Sequence, residues 1–297
     1  MIKENAPIVL FVYKRPRHTR QIVEALKKNE LAGESDLFIY SDGPKNAHDQ
    51  DKVKEVRNYI RTITGFKEIS IIERKENWGL AESIIDGVTN IVNTYGKIIV
   101  LEDDIKTAKG FLKFMNEVLE LYSANDKVFG VSGFKYPSNT KIDENTYFLP
   151  IGSSWGWGTW KNKWDCFKSN AKELKDEIDE QGLSSKMNFN GYPFYEMLEN
   201  QVSGKVDSWA IRFYASFLLE GGYFLFPNKS LVQNIGFDES ASHTKGNSVI
   251  FSKVETEADY VGVNKRKVVI NKSIAQSVRL NPTKIKRFIS KIKRTLQ

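Results

Sequence analysis

Cysteine is almost absent from this 297-residue chain, with Cys166 the single one. One thiol excludes an intramolecular disulfide and a cysteine-ligated zinc cluster, and it fits a reducing compartment. Long apolar runs are missing too. The opening stretch Met1–Pro7 is polar, Ile8–Tyr13 is too short for a signal-peptide core, and nothing approaches the roughly 20 residues of a spanning helix. The expectation is a soluble, cytoplasmic protein. No internal repeat or low-complexity linker divides the chain. No glycine-rich phosphate loop follows the first apolar run, where Lys14-Arg15-Pro16-Arg17 contains no glycine. Acids are absent from the last fifteen residues, Thr283–Gln297.

The remaining composition supports a sizeable core. With 40% hydrophobic and 12% aromatic residues the chain is not a disordered one, and its length holds one large or two modest domains. The net charge of +7 is concentrated in the tail, which carries Lys284, Lys286, Arg287, Lys291, Lys293 and Arg294. Setting those six aside leaves 38 basic against 37 acidic side chains, so the body is nearly neutral. Ile285, Phe288, Ile289, Ile292 and Leu296 recur at helical spacing within this tail. An apolar stripe flanked only by cations suits an anionic membrane surface, each cation adding about 1 kcal/mol near the lipid. The alternative is a terminal helix packed on the body with its basic face in water. Nucleic acid is not expected, because the cations form a tail rather than a broad face and no binding motif accompanies them.

The first half alternates strand and helix signals. Ile8–Tyr13, Leu37–Tyr40, Ile69–Ile72 and Ile98–Leu101 read as strands, and Val128–Val131 as a later one. Helices are expected from about Arg17 to Lys28, from Asp49 to about Thr64, and over Leu80–Tyr95, where Leu80, Ile84, Val88, Ile91 and Tyr95 share one face. This alternation predicts an α/β protein with a mostly parallel sheet covered by helices on both sides. The strand ends would then gather Lys14-Arg15, Asp42, Arg74 and Glu102–Asp104 on one edge, the edge where open α/β sheets bind ligands.

Glu102, Asp103 and Asp104 end an apolar run abruptly. Three adjacent carboxylates repel one another unless a cation or a donor-rich ligand offsets them, which points to a divalent-metal site presenting a phosphate-bearing substrate. The plainer reading is an acidic turn opening the next helix. In the second half, Ser153-Ser154-Trp155-Gly156-Trp157-Gly158-Thr159-Trp160 concentrates tryptophan and glycine, with Trp164 just beyond. Such a stretch can border a sugar or a base, although at least two of these tryptophans are expected in the core. Asp207-Ser208-Trp209 opens a helix with Trp209, Phe213 and Phe217 on one face, and Asp207 reads first as its N-cap. Asn234-Ile235-Gly236-Phe237-Asp238 leads to His243, a histidine in a polar loop.

Taken in order, these motifs resemble GT-A-fold glycosyltransferases, in layout most like bacterial family-2-like sugar transferases and animal N-acetylglucosaminyltransferase I. The resemblance runs from about Ile8 to His243. It rests on Val12-Tyr13-Lys14-Arg15, Ser41-Asp42-Gly43, Asn77-Trp78-Gly79-Leu80, Glu102-Asp103-Asp104, Gly156-Trp157-Gly158-Thr159-Trp160, Asp207-Ser208-Trp209 and Asn234-Ile235-Gly236-Phe237. Each motif is short, and their order gives the match its specificity.

The resemblance implies roles. Asp104 would hold Mn²⁺ or Mg²⁺, Asp103 would contact the ribose and Glu102 the transferred sugar. Asp42 would accept from the base and Arg15 would contact the nucleotide, while Trp157 and Gly158 would border the donor sugar and acceptor. Asp207 would be the general base, and His243 a further metal ligand. The animal enzymes have paired aspartates before the tryptophan and use the one adjacent to it; here Ser208 stands in that place, and Glu220 and Asp238 are alternative bases. The implied layout is a GT-A domain over residues 1–280, with a nucleotide-sugar half at 1–125 and an acceptor-side half at 126–280. A basic amphipathic tail over 281–297 completes it. The implied activity is metal-dependent, inverting transfer from a nucleotide sugar, taken as a UDP-sugar, to a glycan or lipid-linked acceptor in surface polysaccharide assembly. Two other readings stand beside it: a sugar nucleotidyltransferase, and a membrane-peripheral glycan-binding or scaffold protein without turnover.

Overall fold

The computed structural model describes residues 4–237, 256 and 258–280. Its framework is a sheet built from β1 (Ile8–Val12), β2 (Asp36–Ser41), β3 (Glu68–Glu73), β4 (Lys97–Glu102), β6 (Val128–Ser132), β7 (Thr146–Leu149), β8 (Trp157–Trp160) and β9 (Tyr223–Pro227). A separate two-stranded ribbon pairs β5 (Ile105–Thr107) with β10 (Val232–Asn234). The large sheet has the order β3-β2-β1-β4-β8-β6-β9-β7. β8 runs against both β4 and β6, and β7 against β9, so six of the eight strands point the same way. The mixed α/β architecture expected from the sequence is therefore the one observed.

Helices cover both faces. On one side lie α1 (Pro16–Leu26), α2 (Gln50–Ile60) and α4 (Phe111–Leu121), packed on Ile8, Leu10 and Val12 of β1. On the other lie α3 (Gly79–Tyr95), α6 (Ala171–Glu180), α8 (Phe194–Val202) and α9 (Trp209–Leu219), packed around Val9, Phe11 and Trp157. Short helices α5 (Lys161–Trp164), α7 (Ser184–Met187) and α10 (Lys272–Ser277) complete the set. Every residue of β1 is at most 4% exposed, as a strand covered on both faces requires.

The order of connections places the site. From β1 the chain builds outward through β2 to β3, then returns over the opposite face through α3 to set β4 against the free side of β1. The carboxyl ends of β1 and β4 thus flank the point where strand order reverses, and a crevice opens there in sheets of this kind.

Three expectations change. The acidic turn after β4 does not open a helix; it leads straight into β5. The glycine-tryptophan stretch is a loop only as far as Gly156, because Trp157–Trp160 is an inner strand of the sheet with all four residues buried. Bulky aromatic residues suit a pleated, covered strand, and glycine between them permits close packing. A Cβ at Gly158 would stand 2.8 Å from the Ile98 carbonyl oxygen and 3.1 Å from Met115 Cε. Gly158 therefore serves the β4–β8 contact, on the layer opposite Trp157. Gly158→Ala is expected to cost about 2 kcal/mol by overpacking, read as a lower denaturant midpoint with an unchanged slope. Finally, the N-cap of α9 is Ser208, whose hydroxyl accepts from the Ile211 amide at 3.4 Å, and not Asp207. Trp209, Phe213 and Phe217 do bury one face of that helix.

Residues 258–280 pack on α4 and on the loop after β6. Tyr260 donates to Glu117 on α4 at 2.6 Å, the Arg266 amide donates to the Tyr122 hydroxyl at 2.9 Å, and Arg279 donates through its amide to Pro137. Among the described residues no helix is long and apolar enough to cross a membrane. The basic tail and His243 lie outside the described residues.

Candidate active site

Arg15 stands immediately before α1, whose first position is Pro16, a residue with no amide hydrogen to leave unpaired and a φ already helical. That sharp entry brings the Arg15 guanidinium to the end of β4. Its Nη1 donates to Asp104 Oδ2 at 2.9 Å and lies 3.6 Å from Asp103 Oδ1. The three side chains are only 13–19% exposed, so this pairing sits in a recess.

The ribbon β5–β10 closes the recess from the second half of the chain. Pairing of Ile105 with Asn234 carries the next residues over the acidic turn, and the Ile235 amide donates to the Asp104 carbonyl at 2.9 Å. A Cβ at Gly236 would collide with the Asp104 carboxylate, so only glycine fits beside it. The sequence placed Arg15, the Asp103-Asp104 pair and Gly236 in three separate motifs, and the fold gathers them at one point.

The carboxylates are electrostatically unsatisfied. Asp103 is pushed up to about 7 by burial first and by Asp104 second, against the pull of Arg15 and a hydrogen bond from the Tyr13 backbone. Glu102 is raised well above the usual glutamate range by burial and by both aspartates. One guanidinium is too little for three adjacent, half-buried acids. In the metal-free protein Asp103 holds its proton to about pH 7, whereas the unfolded chain releases it near the ordinary value, so stability declines as pH rises between them. This difference bounds the cost at roughly 4 kcal/mol, and relaxation brings the expected figure to ~2 kcal/mol. Asp103→Asn should therefore raise the melting temperature of the metal-free protein at pH 8, with the gain vanishing toward pH 4. An unchanged melting temperature at both pH values would show the carboxylates to be screened.

The adjoining edge, after β2, has a different character. Asp42 accepts four hydrogen bonds at 2.9 Å, from the Gly43 and Trp78 amides on Oδ1 and from Asn77 Nδ2 and the Gly79 amide on Oδ2. These fill the lone-pair sites of a carboxylate. Asp42 therefore clamps the loop that opens α3 and aims its middle residue outward. Trp78 is 47% exposed, with the Arg74 guanidinium stacked 3.5 Å from its ring centroid. Arg74 is itself held by Asp86. Arg57 fastens the loops from behind, donating to the carbonyls of Asp42 at 3.2 Å and Arg74 at 2.6 Å. The strand pattern placed Asp42 and Arg74 on this edge, but the clamp by Asn77 and the bracing by Arg57 leave no trace in sequence spacing.

Beyond the recess, Trp155 packs edge-on against Phe237 with centroids 5.8 Å apart and roofs a cavity of about 240 Å³. Trp157 lies buried in that cavity, stacked on Trp209 at 4.8 Å. Ser208 lines it, and the neighbouring Asp207 carries a carboxylate 61% exposed and paired with Arg212 Nη2 at 2.9 Å. Arg212 is buried and anchored on the Ser208 and Ser169 carbonyls. Of the alternative bases, Glu220 caps the far end of α9, where its carbonyl accepts from Lys127 before β6. That is the amino edge of the sheet, away from the recess. Asp238 lies outside the described residues.

Among the described residues no group of three or more His, Cys, Asp and Glu could hold a metal ion by itself. A divalent cation bound at Asp104 would share its coordination with ligand oxygens and water, as magnesium and manganese sites with phosphates do. The donor set fits such an ion: hard carboxylate oxygens in a recess whose surplus negative charge the ion would offset.

No protein-family model matches the chain, and no curated protein matches it. Among solved structures it is similar to mannosyltransferase PcManGT from Pyrobaculum calidifontis, in complex with GDP-Man and Mn²⁺. That likeness has 10% identity and a TM-score of 0.40, covering 73% of this chain and 74% of the other. It is also similar to S. aureus TarS, at 9% identity and a TM-score of 0.35, over 52% of this chain and 28% of the other. Likenesses this distant leave the function to be read from the site itself.

Proposed function

We propose that the protein is a metal-dependent glycosyltransferase of the GT-A type, moving a sugar from a nucleotide sugar to a glycan or lipid-linked acceptor with inversion. The observation that carries the reading is the meeting of Arg15, Asp103, Asp104 and Gly236 at the strand-order reversal. The ordered motifs that resemble this family supply those residues.

Each residue then has a task. Arg15, braced against Asp104, faces the donor's diphosphate. Trp78, stacked on Arg74 and aimed by the Asp42 clamp, offers its ring to the base. Glu102 and Asp103 accept hydroxyls of the transferred sugar and the ribose. Asp104 would hold Mn²⁺ or Mg²⁺, which when bound neutralises charge on the departing diphosphate. Asp207 takes the proton from the acceptor hydroxyl as its oxygen attacks the anomeric carbon, the bond to the diphosphate breaks, and the configuration inverts. Residues 1–125 would serve the donor and 126–280 the acceptor.

Calorimetric titration with UDP, GDP, CDP and dTDP, each with and without Mn²⁺, tests the reading. Binding of one nucleotide that requires the metal supports it, and UDP is the expected one. No binding by the folded protein would favour a glycan-binding scaffold. The tail is proposed to keep the enzyme near a membrane-borne acceptor. Deleting 283–297 is expected to lower affinity for vesicles containing anionic lipid while leaving the melting temperature of the body unchanged.

A further inference from the structure

We infer that the aromatic cavity under Trp155 receives the acyl group of an N-acylated amino sugar in the acceptor. The assignment to the acceptor rests on the sugar-transfer reading.

The floor of the cavity is formed by the buried Trp157, Trp209, Phe213 and Tyr214. Its more accessible polar groups are the half-buried Ser153, Ser154 and Ser208. Two tyrosine hydroxyls among the lining residues are already committed: Tyr214 donates to the Met187 carbonyl at 2.9 Å and Tyr136 to the Gly152 carbonyl at 2.8 Å. Trp157 is different. Its Nε1 is buried with no hydrogen-bond partner, whereas neighbouring Trp160 and Trp164 donate to Leu119 and Thr89 at 2.8 and 2.9 Å. A buried donor left unpaired is costly, and at a cavity wall the acceptor is supplied by water or by a ligand that displaces it.

The occupant is therefore mostly apolar, supplies a hydrogen-bond acceptor at the floor, and presents hydroxyls at the rim. A prenyl chain lacks the acceptor atom. An unsubstituted hexose can lay its C–H face on an aromatic wall but carries neither an apolar substituent for the floor nor a carbonyl acceptor. An N-acyl sugar meets all three conditions: its methyl fits the floor, its carbonyl accepts from Trp157 Nε1, and its ring hydroxyls remain at the serine-lined rim. Asp207 follows that rim directly, beside Ser208, which puts the reacting hydroxyl of the same sugar within the proposed base's neighbourhood.

The experiment is calorimetric titration of the full chain with a methyl 2-acetamido-2-deoxyhexoside and with the parent methyl hexoside. The acylated glycoside is expected to bind at least tenfold more tightly, and Trp157→Phe should reduce that ratio to within twofold. Equal affinities for the two glycosides would overturn the proposal, as would binding of farnesyl phosphate in place of either. Saturation-transfer NMR on the unmodified protein gives a reading independent of whether the variant folds. The acetyl methyl should receive the strongest saturation, and saturation confined to ring protons would overturn the proposal. Repeating the titration with saturating nucleoside diphosphate and Mn²⁺ separates the sources. Retained glycoside binding supports the acceptor, while displacement by an N-acetylated nucleotide sugar, but not by the bare diphosphate, overturns that assignment. Because the first titration needs no nucleotide, a protein that binds the glycoside but no nucleotide would sink the transferase reading separately.

Discussion

Asp104→Ala should lower metal-dependent nucleotide binding at least 100-fold, about 2.8 kcal/mol, without lowering the melting temperature. The carboxylate is half-buried beside two other acids and shares a single guanidinium with Asp103. Removing it relieves repulsion and leaves Arg15 to Asp103, so the fold loses little. The proposed metal site loses more, because Asp104 is the side chain assigned to the ion and no group of three or more His, Cys, Asp and Glu among the described residues could hold one without ligand oxygens. Gly236 sharpens the test: Gly236→Ala would push the Asp104 carboxylate aside while leaving its charge in place. If charge alone mattered, Gly236→Ala would bind as the unmodified protein does. If position matters, it should fall toward Asp104→Ala. Calorimetry over a Mn²⁺ series reads both. Unchanged metal dependence in Asp104→Ala would move the ion elsewhere and remove the main support for the transferase proposal.

The first half of the chain was legible because its physics is local. Short β-branched runs ending in loop signatures gave β1 to β4, and the apolar stripe of Leu80 to Tyr95 gave α3 within a residue. Their alternation then implied the edge on which Arg15, Asp42 and the acidic turn lie. The second half hid its structure in packing. β8 is spelled Trp-Gly-Thr-Trp, with no apolar periodicity, and becomes a strand because Gly158 lets it close on Ile98. Ser208 outcompeted Asp207 for the cap, since Asp207 is drawn to Arg212, a partner four residues farther along the helix than the cap. The cavity joins residues from Phe134 to Leu280, and no sequence window spans that range. Asp42 shows the same limit at a single residue. Its motif marked it as important, yet the four donors that make it a clamp come from the chain itself and from a turn some 35 residues away.

Asp207→Asn is expected to cut transfer by 10²–10⁴-fold, the range that general-base assistance contributes, while changing donor affinity less than twofold. Asparagine keeps the size of the side chain and an oxygen to accept from Arg212, so α9 and its Ser208 cap should stay in place. What is lost is the second carboxylate oxygen's ability to take a proton. Arg212 Nη2 engages Oδ1 from a buried, doubly anchored position, and the 61% exposed carboxylate keeps Oδ2 for the proposed proton transfer. Glu220→Gln is the control. It lies at the opposite end of the 11-residue α9, roughly 16 Å away along the axis, and should leave transfer intact. Measuring initial rates for both variants at saturating donor separates the step from binding. Retained transfer in Asp207→Asn with loss in Glu220→Gln would overturn the assignment. Loss in neither would leave proton removal to Asp238, whose variant is then the one to make.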